Sequence, residues 1–175
     1  MPGIVIRRWQ PIDREAVGAL IVGIQRSEFG LDIDLAAQPD LIDVAGFYGA
    51  GDGGFWVAQD EERIVGCIGL RDIGEGQAAL RKLFVAATHR GRRHGEVAAR
   101  LLATLLEHAL ARGLHTIYLG TPERFLAAHR FYEKHGFVAL SRDALPQRFP
   151  LMAVDSRFYV RGPGTSSAPR RARSR

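Results

Sequence analysis

The stretch from Ala79 to Leu106, ALRKLFVAATHRGRRHGEVAARLLATLL, decides how the rest of the chain is read. Leu80, Leu83, Phe84 and Val85 form an apolar run that reads as a strand. Val97, Leu101, Leu105 and Ala109 recur every four residues as the stripe of an amphipathic helix. Between them lies a glycine-flanked basic turn, Arg90-Gly91-Arg92-Arg93-His94-Gly95. A helix N-terminus carries N–H groups without intrahelical partners and a partial positive charge, and small residues let a diphosphate approach the main chain. Arg90, Arg92 and Arg93 add full charges that pair bidentately with phosphate oxygens. An ordinary basic loop capping a helix has the same composition, so the hexapeptide alone leaves both readings open. The turn has neither the Gly-Lys-Ser/Thr ending of a nucleotide P-loop nor a Gly-x-Gly-x-x-Gly dinucleotide fingerprint.

Length and composition bound the rest. A chain of 175 residues, 46% of them hydrophobic, fits one globular domain whose core needs no metal or disulfide staple. Cys67 is the only cysteine, which excludes an intramolecular disulfide and suits a reducing compartment; its apolar neighbours make it a core thiol. Nothing resembles a signal peptide or a membrane span, so a cytoplasmic protein without a membrane partner is expected. The net charge is +5, but the tail GPGTSSAPRRARSR (162–175) holds four arginines and no acid, leaving +1 on residues 1–161. A nearly neutral folded part argues against nucleic acid as its partner. The expected organisation is one domain over 1–161 and a basic, disordered tail over 162–175.

In order, Ile4-Val5-Ile6 reads as a strand. A helix follows, with Asp13 as N-cap and Val17, Leu20, Ile21 and Ile24 as its core stripe. Between Ser27 and Glu62 there are nine acids and no lysine or arginine. Glu28, Asp32 and Asp34 open this segment, which is either a solvated acidic surface or a wall that attracts a cationic amine. GFWVA (54–58) and IVGCIGL (64–70) read as a hairpin, and Gly74-Glu75-Gly76 turns into the strand quoted first. Gly113 stops the central helix and HTIYL (115–119) is a further strand. Thr121 and Pro122 suit the N-cap and first position of a helix running to Lys134. Strands over 137–140 and 151–160 flank SRDALPQRFP. The six histidines show no metal-ligand spacing.

The resulting order, β-α-α-β-β-β-α-β-α-β-β, together with IGLRDIG, AALRKLFV, the Arg-Gly-x-x-x-Gly turn, IYLGTPERFLAAHRFYEKHGF and FPLMAVDSRFY, resembles the GNAT superfamily of acyl-CoA-dependent N-acyltransferases over residues 3–160. The resemblance implies an α+β fold of three-layer α/β/α type, with a mixed, mostly antiparallel sheet of about seven strands and about four helices. It implies acetyl-CoA as cosubstrate and a small-molecule amine as acceptor. Leu83, Phe84 and Val85 match the strand that bonds the pantetheine arm, and the amide near Val85 would face the thioester carbonyl. Arg90, Gly91, Arg92, Arg93, His94 and Gly95 match the pyrophosphate loop, with Arg93 where a middle glycine is usual. Phe125 stands where many members carry an asparagine, so no role is transferred there.

Tyr132 matches the tyrosine beside the coenzyme sulfur, which implies direct attack by a neutral amine, with Tyr132 protonating the departing thiolate. A packed helix aromatic is the alternative for the same residue. Many relatives carry a glutamate where this chain has Arg81 and Lys82. The base is therefore left among Glu28, Asp72, Glu75 and a water chain, and His129 lies three positions from Tyr132 on the same helix. Three functions follow: an acetyltransferase for a small amine or amino acid; a silent coenzyme-binding sensor or interaction module; a nucleic-acid binder acting through the tail. The final strands of this fold often pair protomers, which allows a homodimer.

Overall fold

The computed structural model describes residues 3–94 and 96–162; the expectations for Gly95 and for residues 163–175 of the tail lie outside the described residues. Val5–Arg8 (β1) pairs antiparallel with Gly54–Asp60 (β2), which turns back through Glu61 into Arg63–Gly74 (β3). Along β2 the pleat sends Phe55 and Val57 to one face and Trp56 and Ala58 to the other, and all four are buried. A strand covered on both faces reads as a continuous apolar run, as GFWVA does. Gly74, Glu75 and Gly76 all take positive φ, +88°, +58° and +72°, in the turn into Gln77–Val85 (β4). The two glycines adopt that geometry without a Cβ penalty.

The remaining strands are Thr116–Thr121 (β5), Val138–Leu140 (β6) and Arg157–Arg161 (β7), giving the sheet order β1-β2-β3-β4-β5-β7-β6. All neighbours are antiparallel except β4 and β5. The helices are Arg14–Ser27 (α1), the short Pro39–Ile42 (α2) and Val44–Gly49 (α3), Val97–Ala111 (α4) and Leu126–Lys134 (α5). Val17 and Ile21 of α1 and Val44 and Tyr48 of α3 pack with Phe55, Val57 and Cys67 on one face. Val97, Leu101 and Leu105 of α4 and Tyr132 of α5 pack with Trp56, Ile68 and Leu80 on the other. This is the expected seven-stranded mixed sheet between two helical layers. No helix among the described residues is long and apolar enough to cross a membrane.

Three local expectations are corrected. Thr121 does not cap α5: it ends β5 by pairing with Arg157, and a turn closed by Phe125 N–H on the Pro122 carbonyl (3.2 Å) delays the helix to Leu126. The last strand begins at Arg157 rather than Leu151. Residues 151–156 instead turn back, with Asp155 N–H donating to Met152 O (3.1 Å) and Ser156 N–H to Thr121 O (3.2 Å). Asp13 stands at the α1 N-cap position but does not cap that helix with its side chain.

The Asp13 carboxylate instead accepts from both terminal nitrogens of Arg7 at 2.8 Å and from the Gln10 N–H at 2.8 Å, tying β1 to the start of α1. The Arg7 hydrogen bonds hold this carboxyl below its ordinary value, more than offsetting the opposing effect of burial. Because its folded pKa is depressed, the stabilisation is present above the unfolded value near 4 and is lost as pH falls through the folded one. Asp13→Asn should therefore cost about 1–3 kcal/mol in denaturant unfolding at pH 7, with the gap to wild type narrowing once the pH falls below the unfolded value near 4. An equal gap above and below that value would contradict an ionic origin.

Candidate active site

Two parallel strands stay joined only while their N–H and C=O groups meet. Here β4 and β5 pair through Gln77–Thr116, Ala78–Ile117 and Ala79–Tyr118 and then part. From Leu80 to Val85, no strand among the described residues pairs with the β5-facing edge of β4. A cavity of about 830 Å³ opens in the gap, walled by Leu80–Val85 on one side and by Gly120 and Thr121 on the other. The register of β3 against β4 also slips between Cys67–Phe84 and Gly69–Arg81, which puts one extra residue into β4. Within that bulge Lys82 takes φ +58°. Left-handed geometry at a residue with a Cβ costs roughly 1–2 kcal/mol, so surrounding contacts must hold it.

Those contacts come from the layer beneath. The Lys82 ammonium is buried, donates to Gln38 Oε1 at 2.5 Å and lies 3.9 Å from Asp40. Gln38 and Gln25 exchange amide hydrogen bonds of 2.9 and 3.1 Å, and Tyr48 donates to Asp40 at 2.5 Å. Burial pulls the Lys82 pKa down, with Asp40 opposing. The neighbouring Arg81 guanidinium donates to Pro150 O (3.2 Å) and contacts Met152 Sδ (3.3 Å), while its buried Nε has no partner.

At the α4 end of the gap, Glu96 occupies the N-cap position with φ +51°, and its own side chain does not cap the first-turn N–H groups. Gly91 has φ +85° and open space around its Cα. Arg90 and Gly91 line the cavity. Arg90 Nε donates to Val85 O (2.9 Å), and its terminal nitrogens reach Glu28 at 2.5 and 2.8 Å. Those hydrogen bonds hold the Glu28 carboxyl below its ordinary range. Arg92 and Arg93 are exposed and outside the lining, Arg92 lying 3.8 Å from Glu96; the backbone of His94 completes the same short turn.

At the β5 end, Tyr132 is 7% exposed and lines the cavity, wedged edge-on against Phe131 and Phe137. Burial, and next the charge of Asp155, push its pKa well up, so the phenol keeps its proton at neutral pH. Asp155 shares the lining. Burial pushes its carboxyl up to about 6, with Arg81 and Lys82 pulling the other way. Phe125 also lines the cavity, and its ring lies 3.6 Å from that of Phe29, bridging the end of α1 and the approach to α5.

Of the residues expected at the site, Leu83, Phe84, Val85, Arg90, Gly91, Glu28 and Tyr132 meet at one cavity. Asp32 and Asp34 do not: both are exposed outside the lining, and Asp34 accepts from the Ala37 N–H. Asp72 is occupied by the N–H groups of Asp52 and Gly74, and Glu75 pairs with Arg148 at 3.0 Å, both away from the cavity. His129 is buried against Pro122 O at 3.0 Å and does not line it. Asp155 was not singled out by the sequence reading. Its one sequence signal is an acid beside Ser156 within a run expected to be a strand.

A family model for the acetyltransferase (GNAT) family matches residues 21–137. The crystal structure of a GNAT-family acetyltransferase from Staphylococcus aureus Mu50 superposes with a TM-score of 0.85 and 34% identity, covering 91% of this chain and 99% of that one. The IAA acetyltransferase of Azospirillum brasilense is 29% identical over 78% of this chain and 86% of its own length. The N-acetylaspartate synthetase of Xenopus tropicalis is 33% identical over 60% of this chain. The chain spans only 37% to 57% of the length of the vertebrate relatives it matches. With most of the chain under the family model and a third of its residues shared with a GNAT structure matched over its full length, this protein belongs to the acetyltransferase (GNAT) family.

Proposed function

We propose that this protein is an N-acetyltransferase that moves the acetyl group of acetyl-CoA to a primary amine of a small molecule or amino acid by direct attack. The observation that carries it is that one cavity joins a β4 edge left unpaired among the described residues, the α4 N-terminus that Glu96 does not cap, and a protonated buried phenol. The cosubstrate fits these features. The main chain of Leu83, Phe84 and Val85 offers an extended edge to the pantetheine amides. The α4 N-terminus with Arg90 and Gly91 offers N–H groups and charge to the diphosphate. Arg92 and Arg93 add positive charge to the same turn.

Acetyl-CoA supplies an activated thioester. The β4 main chain near Val85 polarises its carbonyl, and Tyr132 gives its proton to the thiolate as the C–S bond breaks. Of the acidic run, Glu28 lines the cavity and is paired there with Arg90. A cytoplasmic setting accords with the lone Cys67 thiol, which burial pushes up to about 12 and keeps inert. A homodimer accords with β6 lying at the sheet edge with Val138 exposed.

Two measurements test this reading. Tyr132→Phe should lower kcat on the order of 10²-fold in a thiol-release assay while the Kd for acetyl-CoA stays within twofold. Unchanged turnover would pass the acid role to water. If phosphate recruits Arg90, the coenzyme must break its pairing with Glu28, an exposed bond worth about 0.2–1 kcal/mol. Calorimetry should then show Glu28→Gln binding acetyl-CoA up to about fivefold more tightly and Arg90→Ala at least about tenfold more weakly. Equal affinities for both variants would remove Arg90 from the phosphate site.

A further inference from the structure

On the acetyl-transfer reading, one task has no residue assigned: a primary amine is an ammonium ion at neutral pH and attacks only after losing a proton. Glu28 and Asp155 are the two acids among the residues lining the cavity. Glu28 is held bidentately by Arg90. Asp155 is held by nothing comparable: among the described residues, no hydrogen bond and no ion pair within 4.0 Å engages its carboxylate.

Its position is nevertheless built. The backbone of the 151–156 turn is closed on itself at Asp155 N–H and tied to β5 through Ser156 N–H and Thr121 O. This lays the Asp155 carboxylate against Gly120, where a Cβ would come within 2.6 Å of Oδ2. Gly120 lies beyond Tyr118, the last β5 residue that pairs with β4, so the carboxylate sits where the sheet has opened. The absence of a side chain on Gly120 makes room for it.

Three charged or titratable groups interact electrostatically with the carboxylate, Arg81 and Lys82 from β4 and Tyr132 from α5, and Asp40 of α2 lies 3.9 Å from each of the two cations. Lys82 is turned to Gln38, and Arg81 to Pro150 and Met152, so neither cation is spent on Asp155. Burial has set the two free groups apart, Asp155 half ionised near pH 6 and Tyr132 protonated well beyond neutrality. Two neighbouring groups driven apart in this way mark a base and an acid.

We infer that Asp155 is the general base of this site, taking the proton of the acceptor ammonium directly or through one water. The free lone pair then forms the N–C bond to the thioester carbon. As the C–S bond breaks, the thiolate takes the Tyr132 proton, and the N–H proton released from the new amide restores the phenol. The proton held by Asp155 passes to solvent, so amide, free thiol and one proton balance the reaction.

The test compares wild type with the isosteric Asp155→Asn by thiol release from acetyl-CoA. A panel of protein amino acids, polyamines and arylalkylamines identifies the best acceptor. Wild-type kcat/KM should rise through a limb near pH 6 and then level. Asp155→Asn should fall on the order of 10²-fold at pH 7.5, lose that limb and climb tenfold per pH unit with the free-amine fraction, while the acetyl-CoA Kd is unchanged. A variant that keeps the wild-type rate, or that loses rate but keeps the limb, overturns the base assignment alone. A wild type that binds acetyl-CoA and acetylates no amine overturns the transferase reading and the base with it. Independently of turnover, 13C NMR of labelled aspartate should show one carboxyl titrating near pH 6 that vanishes in Asp155→Asn; its titration in the ordinary carboxylate range would also overturn the assignment.

Discussion

Everything that gives this fold a site follows from β4 and β5 keeping only three paired positions before they separate. Past Ala79, backbone groups that a regular sheet would satisfy face a cavity instead. Unpaired backbone polar groups are costly unless water or a ligand takes them, so the gap is a standing demand for an extended, amide-bearing partner. The bulge at Lys82 is the second half of the same constraint. It shifts the β4 register and so re-aims the backbone that follows it.

The bulge is held from below. A lysine with positive φ inside a strand is strained, and a side chain free to leave would let the backbone relax. Lys82 cannot leave at low cost, because its ammonium is buried in the Gln38, Gln25, Asp40 and Tyr48 cluster, where pulling it out would orphan several hydrogen bonds at once. The short α2 thus bears on the reacting centre although it contributes no lining residue: it carries Asp40, and Gln38 immediately precedes it. The basic pair at Arg81 and Lys82, where many relatives carry a glutamate, fits a different division of labour. The strand supplies geometry, and the 151–156 turn supplies the carboxylate.

The sheet, its strand order along the chain and one end of the cavity were legible in the sequence because they rest on local patterns. Apolar runs, a 3.6-residue stripe and glycines at turns each act over a few residues, and Leu83, Phe84, Val85, Arg90 and Gly91 do meet at one cavity. What was not legible depends on contacts between segments far apart in the chain. Asp155 reaches the site only because Ser156 binds Thr121 and Gly120 leaves room, neither of which shows in the pattern around residue 155. The start of α5 was misplaced for a related reason. Thr121 is a good N-cap by type, but its pairing with Arg157 in β7 keeps it in the sheet. The acidic run was legible as composition; of its acids expected at the site, Glu28 lines the cavity paired with Arg90, while Asp32 and Asp34 lie exposed outside the lining.

The two ends of the cavity therefore carry different information. On the proposed reading, the coenzyme end is made mostly of main chain, an open strand edge and a helix N-terminus, which many sequences can supply as long as the backbone path is kept. A third of the residues shared with the Staphylococcus aureus structure preserves that path at a TM-score of 0.85. Around Asp155 the cavity is instead made of side chains: Arg81, Lys82 and Tyr132. A single substitution there changes charge or shape without disturbing the sheet. On the proposed acetyl-transfer reading, acceptor choice rests on a few side chains on β4, α5 and the 151–156 turn. Within that set, Asp155 and Gly120 act as a pair, because a carboxylate can occupy this place only while the strand beside it has no Cβ.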